Sequence, residues 1–154
     1  ETLRENGKKR EDVLLEAEKA EEICDGSIYE MKMKIDLQKT DAKSFTLKLR
    51  ASEERSTEIT FDLEKAEIRF DRNHADNWSK GIARGPLNLM NKDSLDIHIY
   101  SDTISVEMFS NGYQNNFSCN IYNIEEKQKN YMIAKGGGVA VKELETWNLK
   151  KSME

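Results

Sequence analysis

The sequence predicts an all-β chain folded as an antiparallel β-sandwich. Three observations carry that prediction. From residue 28 onward, apolar and polar residues alternate with period two; the alternating runs are short and number eight or nine; and polar turns join them. A length of 154 residues suits one domain with a sizeable core. The chain begins at Glu1 rather than at Met, which predicts a piece of a larger parent.

The first 26 residues do not share the pattern. "REDVLLEAEKAEEIC" (10–24) is rich in Ala, Glu, Leu and Lys, and in isolation it reads as a helix. Sheet context can override that propensity. In "IYEMKMKIDL" (28–37), Tyr29, Met31, Met33, Ile35 and Leu37 share one face, while Glu30, Lys32, Lys34 and Asp36 share the other. "FTLKLRA" (45–51) sends Phe45, Leu47, Leu49 and Ala51 inward, and "TEITFDL" (57–63) sends Ile59, Phe61 and Leu63. "AEIRFD" (66–71) follows a short turn at Glu64 and Lys65. Further strands are predicted at 95–100, 103–109, 116–122, 131–134 and 139–149. Pro86 is the only proline, and "ARGPLN" around it reads as a loop in which it breaks no strand. "GGG" (136–138) precedes a strand and lacks the Lys-Ser/Thr of a phosphate loop, so it reads as a tight turn or a close backbone approach.

Composition narrows the function. Apolar residues make up 37% and charged residues 34%, and 29 acids against 24 bases give a net charge of −5. Nucleic-acid binding needs clustered Lys and Arg, and the short "KKR" (8–10) runs at once into "ED". No apolar run approaches the ~20 residues of a membrane-spanning helix. Two His and two Cys, far apart, offer no zinc-ligand spacing, so no metal and no cofactor is expected. "NWS" (77–79) and "NFS" (116–118) are glycosylation sequons that matter only in a eukaryotic secreted protein.

The chemistry-bearing stretch is "LDIHIYSDTISVEMFSNG" (95–112). Ile104, Val106 and Met108 point one way, and Ser105, Glu107 and Phe109 the other. The strand before it offers Leu95, Ile97 and Ile99 to the core, with Asp96, His98 and Tyr100 opposite. A two-residue turn at Ser101 and Asp102 sets Asp96 against Glu107, which brings like charges together. A four-residue loop, 102–105, sets Tyr100 against Glu107 and His98 against Phe109, and is preferred. Asn111 and Gly112 supply the positive φ of a type I′ hairpin turn. In either register Glu107, His98 and Tyr100 share the non-core face. A carboxylate beside aromatic rings suits a sugar, because it accepts hydrogen bonds from vicinal hydroxyls while rings cover apolar sugar faces. The same residues also fit an ordinary solvated face, with Glu107 paired to a neighbouring Lys or Arg. A self-contained glycosidase needs two flanking carboxyl groups, and no acid here stands in a pattern that marks it as one. His74 and His98 lack a Gly-x-Ser-x-Gly partner for a triad.

Three segments together resemble the C-terminal β-sandwich of glycoside hydrolase family 32, the family of invertases, sucrose-6-phosphate hydrolases, levanases and inulinases. In 95–112, Asp102, Ser105, Val106, Glu107, Phe109 and Asn111 match the family's Asp-x-Ser-x-Val-Glu-x-Phe-x-Asn pattern. In "GGGVAVKELETWNL" (136–149), Gly137, Gly138, Ala140, Val141, Leu144 and Trp147 match its closing strand. In "IRFDRNHADNW" and "ARGPL" (68–87), Asp71, Arg72, Arg84, Pro86 and Leu87 match its middle, and "ETLR" is similar to its connector. His98 departs from the family, which often has Arg there. The resemblance spans nearly the whole chain and is clearest over 57–149.

The resemblance implies a concanavalin- or lectin-like jelly roll over residues 1–154, with 1–26 as connector and first strands, and it turns the reading of 10–24 from helix towards strand. It implies a parent whose catalytic half is a five-bladed β-propeller, with an Asp nucleophile in an Asp-Pro-Asn-type motif, an acid/base Glu in a Glu-Cys motif and a stabilising Asp in Arg-Asp-Pro. None of these occurs here: Pro86 follows Gly85, Cys24 follows Ile23 and Cys119 follows Ser118. The expected role is therefore a non-catalytic accessory domain that buttresses the propeller, with a part in dimerisation. Two other roles remain. One is a fructan-binding module, by likeness to the family 66 carbohydrate-binding modules, with Glu107, Arg72, Arg84, His98 and Tyr100 as its site. The other is a lectin-like interaction domain. The compartment, cytoplasmic or secreted, follows the parent.

Overall fold

The structure, a computed structural model, describes residues 2–25, 29–51, 56–71, 82–87, 93–101, 105–110, 115–120 and 129–151. Among these residues it contains strands and no helix. In chain order the strands are β1 (Thr2–Leu15), β2 (Ala20–Asp25), β3 (Tyr29–Asp36), β4 (Ser44–Ala51), β5 (Thr57–Asp62) and β6 (Glu67–Asp71). They continue as β7 (Ile82–Pro86), β8 (Ser94–Ser101), β9 (Ser105–Ser110), β10 (Asn115–Asn120), β11 (Lys129–Lys135) and β12 (Val139–Lys151). Sheet I has the order β1-β12-β3-β8-β9-β10, and sheet II the order β2-β11-β4-β5-β6-β7. Every pairing between these strands is antiparallel.

The period-two pattern explains why the sheets face each other. Alternate residues of each strand point inward, and both inner faces feed one apolar cluster. Sheet I contributes Tyr29, Met31, Met33, Ile35, Leu95, Ile97, Ile99 and Met108, and sheet II contributes Phe45, Leu47, Leu49, Ile59, Phe61, Ile68 and Phe70, all nearly or fully buried. Each such side chain contributes roughly 1.5–3 kcal/mol of burial. Phe45 and Phe61, direct cross-strand partners, stack with centroids 4.8 Å apart.

Residues 10–24 are strand, interrupted at 16–19 where the chain passes from sheet I to sheet II. Helix propensity loses here because Val13 and Leu15 pair with Val141 and Val139 of β12, and Ile23 enters the core. Arg10 bridges the crossing, donating through Nη2 to the Glu22 carbonyl at 3.0 Å and lying 3.6 Å from the Glu21 carboxylate. The loop predicted around Pro86 is instead strand β7. Among the described residues it is an edge strand, bonded to β6, so a proline that cannot donate is tolerated at its end.

The β8–β9 hairpin has the preferred register, with Tyr100 opposite Glu107 and His98 opposite Phe109. In the next hairpin Ser110 pairs with Asn115, so four residues separate the strands rather than the two of a type I′ turn at Asn111-Gly112. The conformation of 111–114 lies outside the described residues. The glycine run makes the β11–β12 turn. Gly136 and Gly137 have φ of 74° and 150°, and a Cβ on Gly137 would collide with the Asp41 carbonyl.

One polar residue pins the core at an end of the sandwich. Asn130 of β11 sits where the register shifts against both neighbours, β2 and β4. Its Oδ1 accepts from the Tyr29 hydroxyl and from the Arg50 amide, each at 2.8 Å, and its Nδ2 donates to the Cys24 carbonyl at 3.1 Å. Arg50 adopts φ 52°, which turns its side chain into the protein, where it is 1% exposed. Burial pushes the Tyr29 phenol well above its usual pKa.

Candidate functional site

The outward face of sheet I is built by the residues that alternate with the core. Strand register places Trp147, Glu30, Tyr100, Glu107 and Ser118 in one row across β12, β3, β8, β9 and β10. The next row runs Glu145, Lys32, His98, Phe109 and Asn116, and the third runs Glu143, Lys34 and Asp96. The third row alternates in charge, as a solvated face does. The first differs, because aromatic rings flank an acid on either side.

Glu30 is the unexpected member. Its alternation with Tyr29 and Met31 puts it on the outward face, and a solvated position follows from sequence. It is instead 2% exposed. His98 meets it there, with its Nε2 lying 2.6 Å from Glu30 Oε2 on the neighbouring strand. A buried carboxylate is tolerated when a charge-assisted hydrogen bond meets it. His98 in turn leans on Tyr100, two residues along the same strand and on the same face, with ring centroids 4.5 Å apart and planes at 37°. Tyr100 is 37% exposed, and Glu107, directly across from it, is exposed as well. At the β12 end of the row Trp147 lies against Gly7 of β1, so closely that a Cβ there would stand 2.9 Å from the indole. Lys32 Nζ sits 5.9 Å from the centre of the same ring.

The five residues suggested from sequence do not form one group. His98, Tyr100 and Glu107 share the outward face of sheet I. Arg84 stands on β7, on the outward face of sheet II, where its Nη1 lies 3.4 Å from Glu67 Oε1. The sandwich separates it from the other three. Arg72 lies outside the described residues, as does the side chain of Phe109. Arg84 belongs to a charge ladder in which Arg69 also pairs with Glu67 at 2.9 Å and with Asp62 at 3.2 Å. The Lys65 amide, and after it Arg69, hold the Asp62 carboxyl below its usual pKa.

Sequence reasoning missed Glu30 and Trp147 as members of the patch. For Glu30 the available signal was its place in a strand paired with the His98 strand, but the pairing is not local. For Trp147 it was the lone bulky ring on the outward side of a strand whose inward positions are Val139, Val141 and Leu144.

The family model described as "Glycosyl hydrolases family 32 C terminal" matches residues 1–148. Among solved structures the chain is similar to exo-inulinase from Aspergillus awamori, with TM-score 0.79 and 20% identity, covering 94% of this chain and 29% of that one. It is similar to fructan 1-exohydrolase IIa from Cichorium intybus in complex with 1-kestose, with TM-score 0.79 and 15% identity, covering 97% and 36%. The fructofuranosidase from Schwanniomyces occidentalis complexed with fructose gives TM-score 0.75 and 12% identity, covering 97% and 34%. At these identities the likeness is one of fold. The chain spans only 29–36% of the length of these enzymes. No curated protein matches the chain by sequence.

Proposed function

The chain belongs to the glycosyl hydrolase family 32 C-terminal family, and from that membership we propose that it is the non-catalytic accessory domain of a β-fructosidase. The observation that carries the proposal is the family match over residues 1–148, together with a sequence that holds no Asp-Pro and no Glu-Cys pair. In this reading hydrolysis of sucrose, sucrose-6-phosphate or a fructan is the work of a β-propeller in the same parent chain. The sandwich contributes a rigid body against which the propeller packs, and a surface for dimerisation. Two sheets closed over one core suit that task, because a well-packed sandwich resists deformation.

Two assays of the parent test the proposal. The 154-residue chain alone should release no reducing sugar from sucrose, inulin or levan, while the parent should. Deleting the chain from the parent should lower the Tm of what remains and, under the dimerisation reading, its sedimentation coefficient. Hydrolysis by the isolated chain, or a parent without a propeller, would sink the proposal.

A further inference from the structure

We propose that residues 16–25 form an acidic strap across one side of the sandwich, closed by an ionic latch and released as a unit by salt. The strap consists of the crossing between the sheets and strand β2. When it lifts, the edge of β11 and the apolar gap behind β2 meet solvent. Charge, anchorage and packing each argue for it.

Residues 16–25 hold five acids, Glu16, Glu18, Glu21, Glu22 and Asp25, against one base, Lys19, which gives a net of −4 in a chain whose whole charge is −5. The segment is met by donors from outside it. Arg10 of β1 donates to the Glu22 carbonyl at 3.0 Å and lies 3.6 Å from the Glu21 carboxylate. Lys129 of β11 lies 3.5 Å from the Glu22 carboxylate. The Gly136 amide donates to Glu18 at 3.0 Å. Arg10 stands on sheet I and its partners on sheet II, so this contact joins the two sheets where β1 and β2 are their edge strands.

The apolar anchorage of β2 is thin. Ile23 enters the core, and Cys24 packs partly against it. Strand β4, two places along the same sheet, buries Phe45, Leu47 and Leu49 completely. The other inward position of β2 is taken by a charge, because Glu21 pairs with the core residue Met132. A strand with few buried apolar contacts opens at a lower free energy than the strands beside it.

Packing beneath the strap is incomplete. Between the sheets a gap of about 10 Å³ is lined by Leu15, Val141 and Leu144 from sheet I and by Ile23 and Met132 from sheet II, and Arg10 and Glu21 complete its lining. Side chains that border a gap lose dispersion contacts on that side. The latch therefore carries a larger share of closure here than polar contacts do at the centre of the core. Its ion pairs are exposed, Arg10 and Glu21 at 38% and 43%, Lys129 and Glu22 at 50% and 46%. Salt screens exposed pairs and spares buried packing, so ionic strength acts on this side of the sandwich first.

Amide exchange of the 154-residue chain, read by mass spectrometry at about 0.05 M and about 0.5 M sodium chloride, tests this. Arg10→Gln and Lys129→Gln are measured beside the wild type. The amides of β2 should exchange faster than those of β4 at both concentrations. The higher salt should speed the β2 amides of the wild type by about threefold to tenfold, the scale on which two exposed ion pairs contribute, and leave β4 unchanged. Arg10→Gln should speed β2 already at the lower salt, and added salt should then do less than in the wild type. Should Arg10→Gln fail to fold, Lys129→Gln and the wild-type salt comparison read the same latch. Exchange of β2 and β4 at one common rate overturns the strap as a separate unit. A β2 rate that neither salt nor the variants change overturns the ionic latch. Salt that speeds β2 and β4 equally acts on the whole fold, and it overturns the latch as well.

Discussion

The outward faces of the two sheets use similar residue types in opposite ways. On sheet II, Asp62, Glu67, Arg69 and Arg84 form a chain of ion pairs between 2.9 and 3.4 Å, and the two arginine side chains remain 27% and 57% exposed. On sheet I, Glu30 is withdrawn from solvent, bonded to His98 and flanked in its row by Trp147 and Tyr100. A surface that only needs to stay soluble can spread its charges in water, where each pair contributes little. Burying an acid on an outward face raises the penalty for any error in the neighbouring side chains. The contrast teaches that sheet I is shaped on its outside as well as on its inside.

Four measurements test that contrast. The largest effect should come from Glu30→Ala, which leaves His98 without the carboxylate it meets at 2.6 Å and empties a position that is 2% exposed. Urea unfolding should show a loss of about 2–3 kcal/mol, and a loss below 0.5 kcal/mol would erase the distinction between the faces. Arg69→Ala removes both ion pairs at the centre of the ladder, and the same assay should register about 1 kcal/mol. Third comes acid. The folded-state pKa of Asp62 is depressed, so the stability it contributes is complete above the ordinary carboxylate value of about 3.9 and drains as pH falls through the lower folded value. Between about pH 5 and pH 2 the wild type should therefore lose more stability than Asp62→Asn; parallel curves would remove Asp62 from the account. The smallest effect belongs to Lys9→Ala. Its partner Glu143 is 3.9 Å away and both side chains are about half exposed, so thermal melts should move by less than the equivalent of about 0.5 kcal/mol.

Much of the fold was legible because its signals are local. Alternation placed Tyr29, Met31, Met33 and Ile35 in the core without any knowledge of what they touch. The repulsion between Asp96 and Glu107 sufficed to choose the hairpin register. Strand β7 was hidden because five residues containing Gly85 and Pro86 carry a turn signal stronger than their β signal, and an edge position makes the proline harmless. Strands β1 and β2 were obscured by Ala, Glu and Lys, whose helix propensity yields only when β12 and β11 supply partners more than a hundred residues away. The candidate site suffered the same way. Glu30 reads as a solvated alternate until His98, 68 residues on, is known to stand beside it. Arg84 reads as a companion of Glu107 until the two are seen on opposite sheets.

Strand β12 lies between β1 and β3, so the latest strand to be synthesised among those described is also the seam of sheet I. Strands β4 to β7 meet their partners as they emerge, one hairpin after another. Strand β1 must wait until residues 139–151 have left the ribosome, with its whole length unpaired in the meantime. Assembly is thus divided in time, a sequential meander first and a long-range closure last, and long-range closure is the slow kind. Pulse-labelled amide exchange during refolding would read that order directly, with amides of β5 and β6 protected before those of β1.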